Sequence, residues 1–150
     1  MGTSRCKTKP RLHLARAAWH GLRAHAEAAY PEECCGALLG HPTPGGWSVT
    51  TAQPAANAAA SGQSYQIAPA ELVRIAREAN RQGLVLAGFY HSHPDQPALW
   101  SETDLTEATW PGCAYLITAV AAGRAGASRA YLLAGAEEKH FAPMTIEIAP

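Results

Sequence analysis

The sequence predicts a single domain of the α/β or α+β class, and three observations carry that reading. The chain has 150 residues, enough for one domain that buries its own core. Apolar residues make up 47% of it, many of them alanine, which suits closely packed helices. Finally, short apolar runs with strand character alternate with segments of helical period along the whole chain.

In chain order, residues 12–29 read as a helix. Ala15, Ala18, Trp19, Leu22, Ala26 and Ala29 recur at spacings of three and four and define one apolar face. Tyr30-Pro31 ends it, because a residue before proline avoids the α region. Residues 34–40 read as a buried strand, residues 41–46 as a turn-rich stretch, and residues 47–51 as a second strand. The Ala-, Asn-, Ser- and Gly-rich stretch 52–63 reads as a loop. Residues 64–68 suggest a brief strand leading into a helix at Pro69, where proline suits the first helical position. Leu72, Ile75, Ala76 and Ala79 form that helix's apolar stripe, and Gly83 closes it. Residues 84–93 make the clearest strand, an apolar run stopped by Pro94. A short helix follows at 101–108, then strands at 114–121, 128–133 and 144–148.

Charge and cysteine content narrow the function. Twelve basic residues balance twelve acidic ones, so no global field draws the chain to nucleic acid or to a membrane surface. The one basic cluster, Arg5 to Lys9, belongs to residues 1–11, read as a flexible tail. No apolar run reaches the length of a membrane span, and none follows the first charged residues as in a signal peptide. A cytoplasmic location is the expectation. Cys6, Cys34, Cys35 and Cys113 include no C-x-x-C pair and read as free thiols.

The chemistry concentrates in His91-Ser92-His93-Pro94 and, six residues later, Ser101-Glu102-Thr103-Asp104. Histidines two apart on a strand project from the same face, and Pro94 leaves them at the rim of the sheet. Asp104 falls in the first turn of the next helix, where the helix dipole favours a carboxylate. Taken alone, Ser101 and Asp104 make a helix capping box. A capped start is also a rigid mount for Asp104. Two imidazoles and one carboxylate form a catalytic zinc set with a fourth position open to water, so His91, His93 and Asp104 are the expected ligands of Zn2+. Zinc brings the pKa of water to about 7, and a carboxylate off the metal then moves the proton.

The pattern H-x-H-P-x6-S-x-x-D resembles the JAMM (MPN-plus) metalloprotease family. Tyr30-Pro31-Glu32-Glu33-Cys34-Cys35-Gly36 is similar to that family's P-x-E-x-x-G region, and Gly88-Phe89-Tyr90 leads into the histidines as it does there. The resemblance implies a cytidine-deaminase-like mixed sheet flanked by helices, over a JAMM domain at 12–150. It implies Glu33 as general base and Ser101 as the hydroxyl that stabilises the tetrahedral oxyanion. The compact form resembles the stand-alone prokaryotic members, several of which are similar to enzymes that trim ThiS- or MoaD-type ubiquitin-like sulfur carriers after Gly-Gly. A ubiquitin-like sulfur carrier is therefore the expected partner and substrate of a zinc peptidase or isopeptidase. Two other readings compete. One is a non-catalytic MPN scaffold, although such relatives have lost the ligands that this chain keeps. The other is a hydrolase with Cys34 or Cys35 as nucleophile, against which the apolar surroundings of both thiols argue. Leu99 and Trp100, bulky just before Ser101, form either a lip toward the substrate or packing beneath the loop.

Overall fold

A computed structural model describes residues 8–59, 64–135 and 137–150. Among them the order is β1 (Arg11–Leu14), α1 (Arg16–Ala29), β2 (Cys35–Thr43), β3 (Gly46–Ala55), α2 (Pro69–Arg81), β4 (Val85–Pro94), α3 (Glu102–Glu107), β5 (Ala114–Ala121), β6 (Arg124–Ala134) and β7 (His140–Ile148). The mixed α+β single domain expected from the alternating patterns is what forms. No described helix is long and apolar enough to cross a membrane.

The strands pair in a closed ring, β1-β3-β2-β4-β5-β6-β7. Antiparallel pairs dominate, with parallel pairs between β4 and β5 and between β1 and each of its two neighbours. The two sides of the curved sheet are covered differently. Against one lies α1, whose Ala18, Leu22 and Ala26 are buried with Leu12, Leu14, Leu38, Val49 and Leu116. Against the other lies α2, whose Ile75 and Ala79 pack on Cys35, Ala37 and Leu39 of β2. Gly83, at a φ of 71°, ends α2 in the left-handed conformation that glycine adopts without a Cβ penalty. Gly88 lets β4 approach β5 closely, since a Cβ there would overlap the carbonyl oxygen of Ala114.

Several sequence expectations need correction. The helix expected from residue 12 starts at Arg16, because Leu12 and Leu14 lie on one face of β1 and are both buried there. Arg11, assigned to the tail, is the first residue of β1 and donates its amide to Gly45 at 2.8 Å. Strand β2 continues through residues 41–43, leaving only Pro44 and Gly45 as the turn. Strand β3 runs on to Ala55 through what reads as loop, held by pairing with Cys35 to Leu38. Residues 64–68 form no strand. Ala76 of the expected α2 stripe is exposed. Cys34, Cys35 and Cys113 are buried free thiols as expected, while Cys6 lies outside the described residues.

Candidate metal centre

Strand β4 delivers the two histidines to one point because alternate residues share a face. The Nε2 atoms of His91 and His93 lie 3.2 Å apart. Asp104 reaches them from α3, with Oδ1 at 3.1 Å from His91 Nε2 and Oδ2 at 3.1 Å from His93 Nε2. The mount for Asp104 is the capping box anticipated from the sequence. Ser101 Oγ accepts the Asp104 amide at 3.0 Å, and Asp104 Oδ2 accepts the Ser101 amide at 2.9 Å. Glu33, in the link between α1 and β2, is buried beside the pair. One of its carboxylate oxygens and a nitrogen from each imidazole lie within 4.8 Å of one another.

These groups fit a metal ion. Bonds of 2.0–2.1 Å in tetrahedral array separate donor atoms by about 3.3 Å, close to the spacings among His91, His93 and Asp104. His93 Nδ1 donates to the Pro97 carbonyl at 2.9 Å, which directs Nε2 toward the shared point. Of the two carboxylates within reach, Asp104 contacts both rings and is held by its cap. Glu33 Oε2, in contrast, is buried with no hydrogen-bond partner among the described residues, as is His91 Nδ1. Such orphaned atoms are rare in folded proteins.

Burial and neighbouring charge set the protonation states. Desolvation pushes the Glu33 carboxyl up to about 7, aided by the Asp104 charge and opposed by His93. Desolvation also lowers the His91 pKa, against the pull of Asp104, and so favours the neutral ring a metal requires. At His93 burial acts downward, but hydrogen bonds to Asp104 and Pro97 and the nearby carboxylates outweigh it, and the net direction is up. At Asp104 burial acts upward. Hydrogen bonds from both histidines, with the His91 charge and the Ser101 amide, outweigh it and hold the carboxyl well below the usual range.

The structure adds residues that the sequence reading passed over. Tyr65 stacks on the His91 ring, centroids 4.3 Å apart and planes inclined by 24°. No local signal links residues so far apart in sequence. Ser92, between the histidines, points to the opposite face, where its Oγ accepts the Cys34 amide at 2.9 Å. Its place in the alternation was a usable clue, since a buried hydroxyl there needs a partner. Leu99 is exposed, while Trp100 sets its edge against Phe141 with centroids 5.7 Å apart.

The fold brings together a set of buried and half-buried donors that could hold a metal ion. The model for prokaryotic homologs of the JAB domain matches residues 15–134, and the chain belongs to that family. This agrees with the JAMM resemblance read from the motif. The chain is 38% identical over 115 residues to a desampylase of Haloferax volcanii, covering 73% of this chain and 81% of that one. It is 33% identical over 100 residues to a probable TtuB-protein conjugate cleaving protease of Thermus thermophilus, covering 66% of this chain and 64% of that protein. Among solved structures, a Desulfitobacterium hafniense protein is similar with a TM-score of 0.81 at 25% identity, over 92% of each chain. A Salinibacter ruber protein is similar with a TM-score of 0.69 at 36% identity, over 90% of this chain and 91% of that one.

Proposed function

We propose that the chain is a zinc-dependent peptidase or isopeptidase that cleaves after the C-terminal Gly-Gly of a ubiquitin-like sulfur carrier of the ThiS or MoaD type. The observation that carries the metallopeptidase part of this reading is the convergence of His91, His93 and Asp104 at 3.1–3.2 Å beside Glu33 Oε2, which is buried with no hydrogen-bond partner among the described residues. His91, His93 and Asp104 would hold the zinc. When bound, it supplies Lewis acidity that acidifies water and polarises the scissile carbonyl. Glu33, whose carboxylate lies beside the two imidazoles, takes a proton from water and passes it to the departing amine. Ser101 Oγ spends a lone pair on the Asp104 amide, so its hydroxyl proton is free to donate to the oxyanion. The Tyr65 ring keeps water off one face of His91.

The names of the two relatives, a desampylase and a protease of TtuB-protein conjugates, support a protein conjugate as substrate. An extended tail pairs with a sheet edge through its backbone, and glycine at the cleaved position lets that backbone come close. The helix-flanked sheet is read as cytidine-deaminase-like, and the working domain as residues 12–150 with Arg11 of β1 added to it. The cytoplasm is the proposed setting, supported by three buried thiols that remain free. The scaffold alternative does not account for three donor side chains that converge on one point. The cysteine alternative meets two thiols that burial pushes up to about 11 at Cys34 and about 12 at Cys35, which keeps both protonated.

The test is incubation with a sulfur carrier bearing a C-terminal extension after Gly-Gly, in heavy-oxygen water. Release of the extension with one labelled oxygen on the new glycine carboxylate is the expected result. Activity that survives chelation and dies with iodoacetamide would overturn the reading.

A further inference from the structure

The proposed base and the aromatic cover of the metal centre come from separate segments, and one side chain touches both. Asn57 Nδ2 donates to the backbone carbonyl of Glu33 at 3.1 Å and to that of Ser64 at 3.2 Å. Asn57 Oδ1 accepts the amides of Ala59 at 2.9 Å and Gln66 at 3.0 Å. Both donors and both lone pairs are used, and this fixes which way the amide points. Two carbonyls require the NH2 group, and two N–H groups require the oxygen.

Each arm ends at the site. Ser64 and Gln66 flank Tyr65, whose ring lies on His91. The Glu33 carbonyl and the Cys34 amide belong to one peptide group, so Asn57 holds one end of it and Ser92 Oγ the other. Ser92 itself stands between the two histidines. The segment carrying Asn57 is tied down in turn, because Glu71 accepts the Ala56 amide at 3.0 Å and an Arg74 guanidinium nitrogen donates to the Pro54 carbonyl at 3.3 Å.

We propose that Asn57 is a positioning residue that locks the peptide aiming Glu33 to the loop laying Tyr65 on His91. Base and cover then keep one geometry relative to the histidines. The catalytic consequence rests on the metallopeptidase reading above, while the mechanical link does not. Misplacing a reacting group by about 1 Å costs about 10²-fold in rate, and that is the scale of effect anticipated.

Two substitutions separate the bonds that Asn57 donates from those it accepts. Asn57→Ala removes all four hydrogen bonds. Asn57→Asp keeps an acceptor for the Ala59 and Gln66 amides but loses both donors, including the one to Glu33. With zinc-loaded protein and a Gly-Gly-tailed ubiquitin-like domain isopeptide-linked to a lysine peptide, both variants should lose about 10²-fold in kcat. KM should stay within about twofold, with zinc content unchanged. Wild-type kcat in Asn57→Asp, or a loss that follows zinc content, overturns the proposal. In zinc-free protein, amide exchange measured by NMR reads the link directly. Exchange at Cys34 should quicken about tenfold in both variants, and at Gln66 only in Asn57→Ala, as loss of one hydrogen bond predicts. The His91 ring resonances should shift in Asn57→Ala as Tyr65 leaves its face. Unchanged Cys34 exchange overturns the link. A wild type inert toward the conjugate removes the substrate reading alone, because the exchange data still decide the role of Asn57.

Discussion

The two faces of β4 differ in what they do with buried polarity. On the α1 side, the Tyr90 ring is buried and its hydroxyl meets His25 Nδ1 at 2.8 Å, while Ser92 accepts the Cys34 amide. Gly36 leaves the space that the Tyr90 ring fills, since a Cβ there would overlap it. On the other side, Phe89 packs in a second apolar cluster, and His91 and His93 follow it into a buried polar pocket. There Glu33 Oε2 and His91 Nδ1 have no partner among the described residues. A face built for stability satisfies its polar atoms. One that leaves two without partners among the described residues serves some other purpose.

Substitutions on each face sharpen the contrast. The largest effect belongs to Glu33→Gln, which should cut turnover by about 10³-fold while zinc remains bound, because it removes a proton carrier and not a proposed ligand. Steady-state kinetics with metal analysis on the same sample checks it; activity retained here but lost in Glu32→Gln would move the base by one residue. On the α1 side, Leu22→Ala should destabilise by about 3 kcal/mol in urea unfolding and leave kcat at low temperature unchanged. A comparable fall in kcat would erase the distinction between the faces.

Smaller effects test the site's construction. Ser101→Ala should lower kcat by about 10²-fold through the lost oxyanion donor, with KM little changed. It should also lower stability by about 1 kcal/mol through the lost helix cap. Unaltered kcat with the stability loss intact would leave Ser101 as a cap alone. The last effect concerns the zinc-free protein and leaves turnover out of account. Because the Glu33 carboxyl is raised to about 7 in the fold, the native state favours its protonated form. That contribution is full below the ordinary carboxylate range and is lost as pH rises through about 7. Glu33→Gln should therefore match the wild type near pH 4 and exceed it at pH 8 by on the order of 2 kcal/mol. Thermal unfolding across that range reads the difference, and parallel curves would contradict it.

The parts of the molecule that were legible in sequence are those specified by local chemistry. Strands β4 and β5 are continuous apolar runs, α2 opens on Pro69, and the Ser101–Asp104 box marks the start of α3. Strand β1 was hidden because Leu12 and Leu14 merge with the helical spacing of Ala15 and Ala18, and four residues are too few to reveal an alternation. Residues 52–55 lack strand propensity and contain Pro54, yet pairing with β2 overrides this. At the site, the histidines, Asp104 and Ser101 share one short stretch, and Glu33 was reached through the family pattern. Tyr65 and Asn57 escaped because their contacts with His91 and with the Glu33 carbonyl exist only once the chain has folded.

The central claim is that His91, His93 and Asp104 together hold zinc, and metal content tests it most directly. Elemental analysis of the wild type and of Asp104→Ala, purified identically and checked for folding by circular dichroism, should give about one zinc per chain in the first and almost none in the second, as removal of a ligand predicts. Equal zinc in the two proteins would contradict the ligand assignment.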